Sequence, residues 1–113
     1  MKAFNPRSKK HIASNVVKAD TAFKRMKGLL GRDSLPPGDA LWLRPCKWVH
    51  TFGMRFAIDI LFLGKDNAVV TAEENIPPNR FSAFAIRAVG ALELPAGTVS
   101  ESDTRAGDII EFS

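Results

Sequence analysis

Cys46, His50, Thr51, Met54, Arg55 and Asp59 fall within the fifteen positions Pro45–Asp59, in the run PCKWVHTFGMRFAID. A cysteine near a histidine is the simplest nucleophile-and-base pair, because an imidazole can take the thiol proton and hold the thiolate. The spacing sets a geometric condition. In a straight strand Cys46 and His50 share a face but lie ~13 Å apart. In a turn, or one helical turn, residues four apart approach to ~6 Å. Pro45 and Gly53 mark irregular backbone, so both courses are open. Against the reactive pair stand two simpler roles, Cys46 as a small buried hydrophobe and His50 as a core or turn histidine bonded to backbone. Cys46, His50 and Met54 are also ligands for softer metals. There is no CxxC and no HxxxH, and His11 is remote, so no metal site is assigned and no cofactor is named.

Asp59 is the residue packing explains least. It sits inside Phe56–Leu63, where Phe56, Ile58, Ile60 and Phe62 would share one strand face and Arg55, Ala57, Asp59, Leu61 and Leu63 the other. A carboxylate in such a strand must be hydrogen-bonded, paired or protonated. It either accepts backbone N–H groups at a turn or bulge, pairs with an arginine, or faces a pocket where it orients His50 or holds a ligand. Glu93 alternates with Leu92 and Leu94, which predicts a solvent-facing side chain. If it shared a cavity with Asp59, mutual repulsion would raise one of the two pKa values. Trp42, Trp48, Phe52 and Phe56 belong in the core, unless one shows an exposed edge and so marks a cleft or a partner surface.

The elements that must position these groups are short. Ile12, Val16 and Val17 predict a strand over His11–Ala19. Asp20 or Thr21 can cap a helix of about residues 20–30, with Phe23, Met26, Leu29 and Leu30 on one face and Gly31 ending it. Leu35–Asp39 is a turn and Ala40–Leu43 a short strand. Phe56–Leu63 and Ala68–Glu74 form a hairpin through Gly64–Asn67. Pro77-Pro78-Asn79 breaks the chain, and Ala88–Leu94 and Ile109–Phe112 supply two more strands. The expected fold is α+β, mostly β: a compact barrel- or sandwich-like sheet with one short helix packed on it. Residues 1–10 are expected to be a flexible basic N-terminus and 11–113 a single domain.

Four stretches, Arg25–Arg32 (RMKGLLGR), Pro45–Asp59, Leu92–Gly97 (LELPAG) and Gly107–Ile110 (GDII), run in the order of a known family, and the chain resembles the domain of unknown function 192 family. The family often has Met at the position of Leu30 and Pro at that of Ala57. The resemblance implies a compact β-rich domain with a helix and no established activity. Some members are exported, so an exported mature form stands beside the cytoplasmic location expected of a chain without an intact signal peptide.

Composition bounds the rest. The chain has 113 residues, 45% of them hydrophobic and 25% charged, which is ordinary for one globular domain. No apolar run reaches the ~20 residues of a membrane span. One cysteine cannot form an intrachain disulfide. Nine Lys/Arg and one acid lie in residues 1–32, while the remainder is net acidic. This basic third could meet nucleic acid, acidic lipid or an acidic partner, but no nucleic-acid motif accompanies it and nucleic acid is disfavoured. Walker, GxGxxG, zinc-finger and GxSxG signatures are absent. The reading is a ligand- or partner-binding module with an unidentified small molecule or protein as partner and no oligomeric state assigned. Its site is expected around Cys46, His50, Thr51, Met54, Arg55 and Asp59, with Glu93 helping. The alternatives are a thiol-dependent enzyme built on Cys46 and His50, or an acidic partner held by the basic third.

Overall fold

The computed structural model describes residues 1–19 and 32–113. The helix expected over residues 20–30, with Arg25 and the Gly31 cap, lies outside the described residues. The described strands are β1 (Ala3–Asn5), β2 (Lys10–Ala13), β3 (Asn15–Ala19), β4 (Asp39–Leu43), β5 (Ile58–Leu63), β6 (Val69–Ile76), β7 (Gly90–Pro95) and β8 (Glu111–Phe112), with a short helix α1 (Thr98–Glu101) after β7. They form a five-stranded sheet in the order β3-β4-β7-β5-β6 and a three-stranded sheet in the order β2-β1-β8. Only β3 and β4 run parallel in the large sheet; its other pairings are antiparallel. The fold is thus mostly β and sandwich-like, and the barrel alternative is not realised among the described residues.

Alternation along the central strands builds two cores. Ile58, Ile60 and Phe62 of β5 join Leu41, Leu43 and Ala91 on one face of the large sheet. Leu61 and Leu63 join Ala40, Trp42, Leu92 and Leu94 on the other. Both faces of β5 are buried, as a strand apolar on both sides requires. The second face is closed by the small sheet, through Ala3, Ile12, Ala13 and Ile110, and by Val99 of α1. The first is closed differently: Cys46, Val49 and Met54 from the 44–57 loop, and Ala85 and Ala88 from the 77–89 loop, pack onto it. Close packing under Trp42 needs Gly90, since a Cβ there would strike the indole edge and stand 2.9 Å from the Leu43 carbonyl oxygen.

Two local expectations are changed, and the expected β5–β6 hairpin through Gly64–Asn67 is found. The strand foreseen over His11–Ala19 is two strands, because Ser14 N–H and Asn15 N–H both turn to the Gly38 carbonyl. The flexible arm foreseen over 1–10 contains β1, with Ala3 and Asn5 fully buried. The Asn5 amide donates to Thr104 Oγ1 (3.1 Å) and Asp108 Oδ2 (3.0 Å), and Arg7 Nε pairs with Asp108 Oδ1 at 2.6 Å. These bonds tie β1 to the loop before β8. Finally, the turn between β5 and β6 is a 3-10 turn, Lys65–Asn67, with Asp66 and Asn67 at φ 60°. Residues of this kind tolerate the left-handed region better than most.

Candidate functional site

The two loops that cover the first face are laced together. Ala85 N–H donates to the Lys47 carbonyl (2.7 Å), Ser82 N–H to the Val49 carbonyl (2.9 Å) and Thr51 N–H to the Arg80 carbonyl (2.8 Å). Thr51 is fully buried; its hydroxyl donates to the Pro77 carbonyl at 2.7 Å and accepts Arg80 N–H at 2.9 Å. The Lys47 ammonium reaches across to the carbonyls of Ile86 (2.6 Å) and Ala88 (2.8 Å). His50 and Phe81 form an isolated antiparallel bridge. Prolines at 45, 77 and 78 keep these segments out of regular sheet, so side chains and loop carbonyls fix their geometry.

This lacing sorts the residues of the 44–57 loop into an inner and an outer set. Cys46, Val49, Thr51 and Met54 point inward and are buried. Trp48, His50 and Phe52 point outward, and Phe81 of the facing loop joins them. The ring centroids lie 5.9 Å apart for Trp48–Phe81, 4.9 Å for Phe52–Phe81, 5.7 Å for His50–Phe52 and 6.3 Å for Trp48–His50. The exposures are 46% for Trp48, 42% for Phe52 and 66% for Phe81, and along the same loop 63% for Phe84 and 73% for Ile86. Scattered exposed apolar residues are ordinary, but mutually touching rings on one ridge are a contiguous patch. Trp48 thus meets the condition under which an exposed indole edge marks a surface rather than a core.

Cys46 and His50 fall on opposite sides of this division. Cys46 Sγ donates to the Trp48 carbonyl at 3.1 Å, and its N–H to the Val89 carbonyl at 3.2 Å. His50 is exposed, with its ring between those of Trp48 and Phe52. No hydrogen bond joins the two side chains among the described residues. Arg55 is exposed and pairs with Asp33 at 2.9 Å. Among the described residues no three His, Cys, Asp or Glu side chains gather as a metal would require.

Asp59 is fully buried and satisfied. Oδ1 accepts Asn75 N–H at 2.9 Å; Oδ2 accepts Gly97 N–H at 3.1 Å and Val99 N–H at 2.9 Å. The β5–β6 register slips here: Ile58 faces Ile76 and Ile60 faces Glu73, so Glu74 and Asn75 together oppose Asp59. This is a β-bulge, with Asn75 at φ 53°. The carboxylate binds the bulge on one side and the first N–H groups of α1 on the other, where Gly97 at φ 96° leaves no side-chain cap. The alternative of backbone N–H acceptance at a bulge therefore accounts for this residue.

Glu93 departs from its expected place. It is buried, 7% exposed, between Leu41 and Ile60 on the first face. Among the described residues it has no hydrogen-bond partner, and burial pushes its carboxyl up to about 7. Asp59 pairs with Leu94 on the opposite face, so the two acids share no cavity and repulsion between them is not the cause. The small sheet and the two loops bury both sides of this sheet, which simple alternation at Glu93 could not reveal. An open cleft of ≈ 670 Å³ lies elsewhere, lined by Phe4, His11, Asp66, Ile109 and Phe112 among others, and holds none of the expected site residues.

Sequence reasoning missed Phe81, Phe84 and Ile86. The available signal was a stretch, Arg80–Arg87, with three large apolar residues, no strand neighbours and no acid. Among the described residues no helix is long and apolar enough to cross a membrane.

The family model DUF192, described as an uncharacterised ACR, matches residues 4–112, and the chain belongs to this family. No curated protein matches it. Two solved structures share the fold. One is a Sinorhizobium meliloti 1021 protein described as a "putative transcription regulator", with TM-score 0.80 and 24% identity over 97% of this chain and 89% of that one. The other is a protein of unknown function from Novosphingobium aromaticivorans DSM 12444, with TM-score 0.78 and 20% identity over 99% of this chain and 93% of that one. At these identities the likeness is one of fold.

Proposed function

We propose that this member of DUF192 is a partner-binding module whose contact surface is the ridge of Trp48, His50, Phe52 and Phe81, continued by Phe84 and Ile86. One observation carries the reading. The rings touch one another and stay 42–66% exposed, on loops held by hydrogen bonds to each other rather than by the rings' own burial. A rigid, solvent-facing apolar ridge loses little entropy on docking, which is what a binding surface needs. Of the residues expected at the site, His50 is in the ridge, and Thr51 staples its two loops. Cys46 and Met54 belong to the core cluster under it. Arg55 is exposed on the same loop, Asp59 ties the sheet to the bulge and α1, and Glu93 is buried in the sheet without a hydrogen-bond partner among the described residues.

The test uses anilinonaphthalene sulfonate, an apolar anionic dye that brightens on exposed apolar surface. The native protein is expected to bind it, and Trp48→Ser with Phe81→Ser to lose at least about tenfold in affinity with an unchanged melting temperature. No binding by the native protein, or equal binding by the variant, overturns the reading.

A further inference from the structure

The loops that carry the ridge have an uneven charge. Segments 44–57 and 77–89 contain Arg44, Lys47, Arg55, Arg80 and Arg87 and no Asp or Glu, and all five cations are exposed. Among the described residues two acids touch these loops from outside: Asp33 pairs with Arg55, and Glu73 accepts Ala83 N–H at 3.2 Å. An apolar crest on loops that carry five cations and no acid suits a surface that is apolar inside and anionic outside.

We infer that the ridge docks on an anionic lipid surface, with Phe81, Phe84 and Ile86 entering the headgroup region and Arg44, Arg80 and Arg87 meeting lipid phosphates. This inference rests on the ridge being a binding surface at all. Two features favour a membrane over other anionic partners. The most exposed large apolar side chains, Ile86 and Phe81, carry no polar group and enter apolar surroundings without leaving one unsatisfied. The rings are tilted 41–69° to one another, so their faces are spent on each other rather than laid out for stacking bases. Trp48 and His50 are the kind of amphipathic ring that settles at the headgroup level.

The experiment is cosedimentation with phosphatidylcholine vesicles, with and without phosphatidylglycerol. It is read together with Trp emission, in which the buried Trp42 gives a constant background and the exposed Trp48 reports the shift. Binding is expected only to the anionic vesicles, with a blue shift and release by high salt. Phe81→Ser/Phe84→Ser/Ile86→Ser should lose binding at least about tenfold. Arg80→Gln/Arg87→Gln should lose about fivefold per cation, the equivalent of ~1 kcal/mol each. Absence of vesicle binding overturns the inference. So does vesicle binding that the triple variant retains, which would belong to the basic third alone. Dye binding at the ridge without vesicle binding overturns the membrane alone, and loss of both overturns the ridge as well. Ridge-dependent binding to a single-stranded oligonucleotide instead of vesicles, or ridge-dependent self-association on ultracentrifugation, likewise overturns it.

Discussion

The two faces of the five-stranded sheet each bury a carboxyl group, and the sheet treats the two in opposite ways. On the face closed by the small sheet, Asp59 accepts three backbone N–H groups and ties β5 to the β6 bulge and to α1. On the face closed by the two loops, Glu93 lies between Leu41 and Ile60 with no hydrogen-bond partner among the described residues. The face closed by the small sheet is built for stability. The loop-covered face is held by loop-to-loop hydrogen bonds, and its outer surface carries exposed rings. A sheet can therefore concentrate its structural polarity on one side and leave the other free to carry a surface.

The largest effect separating the faces is expected at Asp59. Asp59→Ala strands three N–H groups at a buried bulge and helix start, and should cost about 3–5 kcal/mol in urea unfolding. A loss under ~1 kcal/mol would mean the bulge and α1 stand without it, and the contrast between the faces would fail.

Glu93 tests the other face through pH. Its folded pKa, about 7, lies above the ordinary 4.5. The folded state therefore holds the proton more tightly, and stability present below pH ~4.5 is lost as pH rises towards 7. Glu93→Gln should flatten that slope and stabilise the protein by roughly 2–3 kcal/mol at pH 8. Asp108 works in the reverse sense. Burial alone would raise it, but hydrogen bonds from Arg7, Asn5 and the Arg105 N–H outweigh this and bring it down to about 2. Its contribution is present above pH ~4 and lost only as pH falls towards 2, so the two windows do not overlap. A Glu93→Gln variant that kept the wild-type slope between pH 5 and 7 would show that Glu93 is partnered in solution.

Thr51 tests what holds the ridge. Thr51→Val keeps the shape but removes the bonds to Pro77 and Arg80. It should cost about 1–3 kcal/mol and speed amide exchange in the 77–89 loop more than in β5. Uniform exchange across both would mean that the loops are not a separate unit resting on the sheet.

What could be read from the sequence follows from range. Strands with their own punctuation, such as β5, β6 and β7, were legible, and so was the division of β5 into Phe56/Ile58/Ile60/Phe62 and Leu61/Leu63 faces, because strand periodicity is local. Asp59 was legible as an anomaly but not in its role, since its partners Gly97 and Val99 lie nearly forty residues away. Glu93 was misread because alternation tells which side a residue takes, not whether that side is wet. β1 was missed for a similar reason: its burial depends on Asn5 meeting Thr104 and Asp108 near the other end of the chain. The ridge was half legible. Trp48 and Phe52 stood out by type, but Phe81 joins them only through the lacing of the two loops.

The smallest stability effect is expected where the binding effect is largest. Phe81, Phe84 and Ile86 are 63–73% exposed, so replacing each by Ser removes little buried area and should move stability by no more than about 0.5 kcal/mol per site. Exposed phenylalanine and isoleucine that do not support the fold have no packing reason to be apolar, and the combination of neutral stability with lost binding separates a functional surface from an incidental one. If Phe81→Ser instead cost ~2 kcal/mol or more by thermal unfolding, its contacts with Trp48 and Phe52 would be part of what closes the first face. The two faces would then differ in materials but not in purpose.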